Sequence, residues 1–250
     1  MTRGKQSGFM VGAKSRKTAS WPEHKYDRQE GANMTNDALK SNILSIKIIP
    51  NVNEDLIKEL NLPAGHRSVG MFTSDCDDVS YTALDEATKK ADVRVVYGRS
   101  FYGGAANANT KLAGEVIGIV SGPTPAEVRS GMDAIVNVVE NEAYFVSANE
   151  DDSIVYYAHC ISRTGSYLSD MAGIPEGEPL AYLIAPPLEA MYAIDAALKA
   201  AEVRMVSFFG PPSETNFGGA LLTGSQSACK AACDAFADAV KFVASNPIKY

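Results

Sequence analysis

Apolar and polar side chains alternate clearly in the segment that begins at residue 43. Leu44, Ile46 and Ile48 are separated by Ser45 and Lys47, and this period of two is typical of a strand with one buried face. In the residues that follow, the apolar spacing changes several times between the strand period and the helical period. The pattern predicts these elements in the first half of the chain: strand 43–49, helix 53–61, strand 67–74, helix 79–91, strand 93–98, strand 114–121 and helix 125–141.

The second half of the chain repeats the first. Residues 83–96 align with residues 193–206, and eight of the fourteen aligned positions are identical, where about one is expected by chance. The flanking turns and helix starts align as well. The repeat predicts a second set of elements: strand 154–161, helix 165–172, strand 179–185, helix 189–201, strand 203–209, strand 219–223 and helix 228–244.

The duplication determines the domain organisation and the fold class. We predict two domains, residues 34–149 and 150–250, that meet at the acidic turn 149–152. Without its opening strand, each half has the order β-α-β-β-α. The opening strand can complete a small βαββαβ sandwich, but it comes at the start of the half instead of its end, as in a circular permutation. The predicted fold class is α/β, as an α+β sandwich in two tandem, circularly permuted copies. Each copy is expected to contain a mostly antiparallel sheet covered by helices.

The net charge divides the chain differently. The whole chain has a formal charge of −7, but residues 1–33 carry +4, which leaves −11 on residues 34–250. Residues 1–33 also contain the only tryptophan, Trp21, and show no apolar periodicity. We interpret them as a disordered basic leader, with Met34 as a candidate native start; a basic targeting or docking arm is the alternative.

Composition excludes several classes of function. With 46% apolar and 21% charged residues the chain has an ordinary globular composition, and no apolar run approaches the roughly 18 residues that span a bilayer. The acidic charge argues against nucleic acid as a partner, since phosphate contacts need clustered Lys and Arg. The 4 cysteines have no framework spacing, which indicates a reducing compartment. We therefore predict a cytoplasmic protein with no membrane and no nucleic-acid partner.

The duplication also provides a control, because a residue that the fold requires tends to recur in both halves. Asp85 and Lys89 recur as Asp195 and Lys199. Both pairs have the i,i+4 spacing at which opposite charges stabilise a helix by a few tenths of a kcal/mol. We interpret both pairs as structural.

The histidines and cysteines show no pattern of a catalytic or metal site. His159 aligns with a lysine of the first half, on a strand face that already tolerates a charge. Cys160 aligns with an isoleucine, which predicts a small core residue. Cys229 and Cys233 lie one helical turn apart and could share a metal ion, but no further ligand completes the set, so alanine-like packing is favoured. We predict no catalytic residue, no metal and no cofactor.

Three acidic residues occur in the first half only. Asp77 and Asp78 align with a proline and a leucine of the second half, and Glu115 aligns with an alanine. Because the common fold does not require them, they are candidates for a site, although the macrodipole also favours acids at a helix N-terminus. In a βαββαβ sheet the two central strands run parallel, and we then expect Asp77 and Glu115 at opposite ends of the sheet. Their convergence would need a returning loop or the neighbouring domain.

A long glycine-rich loop follows the same strand in both halves, over residues 98–109 and 210–219. A phosphate cradle is the less favoured interpretation, because neither loop opens a helix with the lysine and spacing of a nucleotide motif. Loops of this kind can change conformation and act as a gate. The predicted gating residues are Phe101, Tyr102, Gly103, Gly104, Thr215, Asn216 and Phe217.

Several strings carry a family resemblance that covers roughly residues 42–250. The alanine-rich helix and strand 193–206, the glycine-rich loop and the helix start at 224–228 resemble the shell-protein domain of bacterial microcompartments. Two permuted copies in one chain resemble the tandem-domain, trimeric shell proteins of ethanolamine-utilising microcompartments. The strings that support this narrower resemblance are 75–79, 96–100, 162–168, 185–190 and 211–216.

The resemblance implies a function and a set of site residues. It implies a homotrimer that tiles with other shell proteins into the microcompartment shell, with pores that gate the passage of substrates or cofactors. It also implies that ethanolamine binds in a small acidic pore at Asp77, Asp78 and Glu115. The aromatic pair Tyr144 and Phe145, just after the long helix, could supply a wall or a backbone carbonyl, and we include Phe145 among the predicted ligand-binding residues. On this basis we expect a structural protein of the shell and not an enzyme.

Two other functions remain open at this point. One is a small-molecule sensor or carrier for an amine, since duplicated α/β sandwiches can bind ligands between their domains. The other is an enzyme in which Asp77 and Glu115 form an acid–base pair. A sensor would form monomers or dimers without sheet-like assembly, and an enzyme would turn over its amine.

Overall fold

The computed structural model describes residues 36–101, 115–211, 213 and 215–248. The first half contains β1 (Ala38–Leu39), β2 (Ile43–Ile49), α1 (Glu54–Glu59), β3 (Ser68–Ser74), α2 (Asp77–Lys90), β4 (Arg94–Phe101), β5 (Glu115–Gly122), α3 (Pro125–Asn137), a π-helical turn (Val138–Glu142) and β6 (Phe145–Ser147). The second half contains β7 (Val155–Ile161), α4 (Ser166–Ala172), β8 (Leu180–Ala185), α5 (Pro187–Ala200), β9 (Val203–Phe209), β10 (Gly218–Gly224) and α6 (Gln226–Ser245). The predicted leader, residues 1–33, and the predicted gating residues Tyr102, Gly103 and Gly104 lie outside the described residues.

The elements confirm the predicted α/β fold class with mostly antiparallel sheets. Every predicted strand and helix is present, with ends that differ by about three residues or fewer. The helix predicted over 125–141 is α-helical to Asn137 and then continues as the π-helical turn. The short strands β1 and β6 were not predicted, because two or three residues are too few to show a period of two.

The two sheets are built from antiparallel pairs. The first has the strand order β2-β3-β5-β4, and the second has the order β1-β6-β7-β8-β10-β9. The strands β1 and β6 come from the chain before residue 150, yet they extend the sheet of the second half, because β6 pairs with β7 through Val146 opposite Tyr156. In contrast, β2 is an edge strand of the first sheet.

The direction of the central strands corrects one expectation. We expected parallel central strands, with Asp77 and Glu115 at opposite ends of the sheet. That expectation is wrong, because β3 and β5 pair antiparallel with Ser74 opposite Val116. The end of β3, which leads to Asp77, and the start of β5, which carries Glu115, therefore lie at the same end of the sheet.

Pairs of helices cover each sheet. The helices α2 and α3 pack together on the first sheet, and α5 and α6 pack together on the second. Side-chain caps start α3 and α6, since the Thr124 hydroxyl accepts from the Glu127 N–H at 3.2 Å and the Ser225 hydroxyl accepts from the Ala228 N–H at 3.1 Å. Small side chains of both helices belong to one buried cluster: Ala190, Ala193, Ala197, Cys229, Ala232 and Cys233. Cys229 and Cys233 are both buried in this cluster.

The halves join where α2 meets the start of α4. The buried Asp85 carboxylate accepts hydrogen bonds from the Gly165 N–H at 2.7 Å and the Leu168 N–H at 2.9 Å, and so caps α4 from the other half. Glycine is required at 165, because a Cβ atom there would lie 2.2 Å from the Thr88 hydroxyl and 2.6 Å from the Asp85 carbonyl oxygen. Burial raises the pKa of the Asp85 carboxyl, and the two backbone N–H donors oppose that rise.

Candidate functional site

An acidic cavity lies between the halves, at the N-terminus of α2. Its volume is ≈ 290 Å³. The first half contributes Asp77, Asp78, Tyr81 and Gly98; the second half contributes Tyr167, Met171, Tyr182, Ile184, Phe209, Ser213 and Thr215. The cavity therefore depends on the association of both copies of the duplicated unit.

The turn after β3 positions the two carboxylates. The Ser74 hydroxyl accepts from the Cys76 N–H at 3.2 Å, and the Ser80 hydroxyl donates to the Cys76 carbonyl at 2.7 Å, so the start of α2 is tied to the end of β3. Asp77 and Asp78 are the first residues of α2. The macrodipole stabilises carboxylates at that end of a helix, which offsets part of the cost of burying them.

The two carboxylates are buried side by side. Asp77 is 5% exposed and Asp78 is 6% exposed. The Tyr182 hydroxyl donates to Asp78 Oδ1 at 2.7 Å, and the Asp78 N–H donates to Asp77 Oδ1 at 2.9 Å. Burial raises the pKa of the Asp78 carboxyl well above its ordinary value, and the charge of Asp77 raises it further. A cation in the cavity would relieve both effects.

Aromatic rings form the walls above these acids. The rings of Tyr81 and Tyr167, one from each half, lie 6.1 Å apart, and those of Tyr182 and Phe209 lie 6.4 Å apart. The Tyr81 hydroxyl accepts from the Ser100 N–H at 2.9 Å, which orients the phenol. Anionic groups at one end and ring faces along the sides are the surroundings that a small organic ammonium ion prefers.

The second glycine-rich loop closes onto this cavity through hydroxyl-stabilised turns. Thr215 is buried and lines the cavity. Its N–H donates to the Ser213 hydroxyl at 3.3 Å, and its own hydroxyl accepts from the Phe217 N–H at 3.2 Å. Asn216 is exposed. The sequence predicted the acids and the gating residue Thr215 separately, and the structure brings them together at one cavity.

Glu115 and Phe145 lie near the cavity but do not line it. Glu115 is 5% exposed at the start of β5, opposite Phe101 at the end of β4. The fully buried Phe145 ring lies 5.3 Å from the Tyr157 ring and 6.0 Å from the Phe217 ring. Tyr157 in turn contacts the edge of Tyr182, so Phe145 is connected to the acids through two aromatic rings.

Tyr167 and Tyr182 belong to the site although the sequence analysis did not select them. Both align with non-aromatic residues of the first half, Asp55 and Gly70. The comparison of the halves that selected the acids would therefore also have selected these tyrosines. They were overlooked because an aromatic residue in a strand or helix is usually explained by core packing.

The remaining candidates have structural explanations. His159 is half-buried: its ring stacks on Tyr157 at 5.5 Å, and burial lowers its pKa to about 4. His66 is hydrogen-bonded to the Ser121 hydroxyl at 2.8 Å. Within the described ranges, no group of three or more His, Cys, Asp or Glu is arranged to hold a metal ion. Among the helices of those same residues, none combines the length and apolar character that crossing a bilayer requires.

Comparison with known proteins identifies the family. A family model described as BMC domain matches residues 68–151. The bacterial microcompartment shell protein EutL of Clostridium perfringens (strain 13 / Type A) is 68% identical over 217 residues, which are 87% of this chain and 100% of that protein. EutL of Escherichia coli (strain K12) is 54% identical over 213 residues, which are 85% of this chain and 97% of that protein. The crystal structure of ethanolamine utilization protein EutL from Leptotrichia buccalis C-1013-b has 76% identity and a TM-score of 0.82, and the alignment covers 87% of this chain and 100% of that chain.

These similarities confirm the resemblance found in the sequence. They extend over the full length of the relatives, so they include both halves and the contact between them. They also confirm that the protein has a structural role in the microcompartment shell and is not an enzyme. The chain belongs to the EutL family of bacterial microcompartment shell proteins.

Proposed function

We propose that the chain forms a homotrimeric tile in the shell of an ethanolamine-utilising microcompartment, that its acidic cavity binds the ethanolammonium ion, and that its glycine-rich loops gate passage. The relatives named above supply the association with ethanolamine utilisation. The observation that supports the assembly is that α2 is buried on a face whose equivalent on α5 is exposed. The observation that carries the ligand is the pair of buried carboxylates beside aromatic rings.

The face of α2 that meets the second half is fully occupied. Asp78 is bonded to Tyr182, the Thr82 hydroxyl lies 2.8 Å from the Tyr157 hydroxyl, and Asp85 caps α4. Each partner belongs to the second half of the same chain. The first half therefore presents, on α2, a surface that binds the second half.

The equivalent face of α5 is open. Leu188 is 62% exposed, Met191 is 48% exposed and Tyr192 is 51% exposed. Asp195, the equivalent of Asp85, has a side chain that is 64% exposed. An open apolar patch of this kind favours a protein interface. We assign to it the first half of a second copy, since the same face of α2 receives a second half within the chain.

The first half carries the matching surface. The helix α1, the equivalent of α4, has no buried residue, and its Leu56 is 39% exposed. Head-to-tail contacts of this type generate closed rings when the rotation closes, and three chains place six halves in one ring. The ring then buries the apolar face of α5 in every copy.

The chain end extends the same relation. Strand β6 follows the helical segment of the first half and pairs with β7. At the equivalent place after α6, Ile248 is 84% exposed, and the edge of β2 on the first sheet is open. We expect the segment at Ile248 to add to β2 of the neighbouring copy, as β6 adds to β7 within the chain.

Ethanolamine matches the polar groups of the cavity. Its ammonium group needs anionic acceptors when it leaves water, and Asp77 and Asp78 are the buried acids there. Its hydroxyl group can bond to the side chains of Ser213 or Thr215 on the loop. A ligand that contacts both the acids and the loop would link occupancy of the cavity to the position of the loop.

Calorimetric titration of ethanolamine tests the ligand, and native mass spectrometry of the same samples tests the assembly. We expect a trimer that binds ethanolamine, and a loss of affinity of at least about tenfold in Asp78→Asn. The control is Asp170→Asn, which removes the same charge from a side chain that is 75% exposed. A monomer that binds ethanolamine would instead favour an amine carrier.

A further inference from the structure

The contact between the halves contains a pair of side chains of unequal size. Thr82 on α2 and Tyr157 on β7 are both buried, and their hydroxyl oxygens lie 2.8 Å apart. The larger side chain comes from the strand and the smaller one comes from the helix. Because protein interiors are close-packed, the Tyr157 ring leaves room only for a small side chain opposite it on α2.

The equivalent positions of the two halves carry the reverse order of sizes. Where α2 has its threonine, the repeat places Tyr192 on α5. Lys47 of β2 aligns with His159 of β7. Two residues earlier, Ser45 is the equivalent of Tyr157. Here the large side chain is on the helix and the small one is on the strand.

Both of these side chains are open to solvent in the single chain. Tyr192 is 51% exposed, and Ser45 is exposed on the face of β2 that it shares with Lys47. The Tyr192 ring stacks on the ring of Phe242 from α6, with 5.9 Å between the ring centroids and 21° between the planes. A ring that is already held in one orientation loses little conformational entropy when a partner covers it.

The polar part of the contact inside the chain has no counterpart at the equivalent positions. The Asn53 side chain accepts from the Asp55 N–H at 2.9 Å, so α1 has an N-cap of its own. Among the described residues, α4 has no side-chain cap from its own half and takes its acceptor from Asp85. Asp195, the equivalent of Asp85, is paired with Lys199 at the surface instead. The fit between copies therefore depends mainly on the sizes of the side chains.

We propose that Tyr192 of one copy packs over Ser45 of the next, and that this reversal of sizes fixes the alternating order of first and second halves in the ring. The contact rests on the head-to-tail trimer proposed above, in which α5 meets the first half of another copy. If two second halves met, Tyr192 would face Tyr157, and two phenol rings would occupy the space of one. If two first halves met, Thr82 would face Ser45 and leave a cavity. Overpacking and cavities both destabilise a contact, so only unlike halves fit together.

A double-mutant cycle on the full chain tests this contact, with Ser45→Tyr, Tyr192→Thr and the double variant compared by native mass spectrometry over a dilution series. Ser45→Tyr should weaken trimer association by about a hundredfold, because two tyrosines then meet at every contact between copies. Tyr192→Thr should weaken it by about tenfold, since it leaves a cavity. The double variant restores one large and one small side chain and should associate within about threefold of the parent.

Recovery in the double variant also excludes misfolding as the cause of the loss in Ser45→Tyr. The matched control is Leu44→Tyr, because Leu44 is 52% exposed on the opposite face of β2. Any loss of association in that variant should not be recovered by Tyr192→Thr. The proposal is overturned if the effects of the two changes simply add, or if Ser45→Tyr associates as the parent does. If the parent itself stays monomeric, the proposed trimer is wrong, and this contact is wrong with it.

Discussion

The helices α2 and α5 occupy equivalent places in the two halves, but they have opposite surroundings. Asp78, Thr82 and Asp85 on α2 each contact a residue of the second half. The equivalent positions on α5 are Leu188, Tyr192 and Asp195, and all of them are exposed. The face is thus polar on α2, where it contacts the second half, and mainly apolar on α5, where it is exposed.

This difference separates two tasks that one ancestral surface would have had to perform together. Between the halves of one chain the contact is covalently guaranteed, so the surface can carry buried acids and a cavity. Between chains the contact must supply its own association energy, for which apolar side chains are better suited. The candidate ligand site therefore lies at the contact inside the chain, where the covalent link allows the unfavourable burial of two acids.

The largest effect is expected when the contact inside the chain is broken at Asp85. The change Asp85→Ala leaves the N–H groups of Gly165 and Leu168 buried without their acceptor, which costs about 3 kcal/mol of unfolding free energy. Thermal unfolding should show a lower Tm at every protein concentration. The matched change Asp195→Ala should lower Tm only at concentrations that favour the trimer. Equal effects that do not depend on concentration would contradict the comparison.

A charge on the open face of α5 should affect assembly and leave the chain folded. In Leu188→Glu we expect trimer association to weaken by about a hundredfold, because a carboxylate would be buried in an apolar contact. Native mass spectrometry over a dilution series measures this change. Met205→Glu is the control, since Met205 is 44% exposed on β9 and lies outside the α5 face. If both variants dissociate alike, the α5 face has no special role.

The buried acid on α2 should make stability depend on pH. Because the pKa of Asp78 is raised in the folded chain, its ionisation opposes folding, so its contribution to stability is lost as the pH rises from about 4 towards neutral. Asp78→Asn should therefore be more stable than the parent at pH 7, and this gain should shrink towards pH 4. Urea unfolding at several pH values measures it. The control is Asp195→Asn in diluted, dissociated protein, because it removes a carboxylate whose side chain is 64% exposed.

The smallest effect concerns the lysines that pair with the two equivalent aspartates. The Lys89 ammonium donates to the Arg163 carbonyl at 2.9 Å and lies 3.6 Å from Asp85, so Lys89→Ala should cost about 1 kcal/mol. Lys199 pairs with the exposed Asp195 at 2.5 Å, and Lys199→Ala should cost less than about 0.5 kcal/mol. Urea unfolding compares the two, and the opposite order would contradict the difference in burial.

The repeated periodicity made the elements predictable, because each half confirmed the spacing of the other. The pairing of the strands was not predictable in this way. The sequences of the segments 67–74 and 114–121 do not indicate whether the two strands pair parallel or antiparallel. The direction of this pairing decides whether Asp77 and Glu115 lie at the same end of the sheet. Strand direction depends on the whole set of connections, which the local pattern does not contain.

Comparison of the halves identified candidate site residues where the two sequences differ, but it did not reveal different roles for residues that are identical. It selected Asp77 and Asp78 because the second half has other residues there. It assigned one structural role to Asp85 and Asp195 because they are identical, yet only Asp85 is buried and caps a helix. Identical residues acquire different roles when their neighbours come from a different copy, and sequence alone does not supply those neighbours.

The central claim is that the open face of α5 receives the first half of a second copy, as α2 receives the second half of its own chain. A disulfide between Asp195→Cys and Asn53→Cys tests it most directly, because these are the equivalents of Asp85 and Gly165, which are joined by a 2.7 Å hydrogen bond. On mild oxidation the double variant should give a covalently closed trimer on a non-reducing gel, with the 195–53 peptide pair in its digest. Each single variant should give no covalently linked trimer on the same gel. A double variant that stays monomeric, or that links these positions within one chain, would contradict the account.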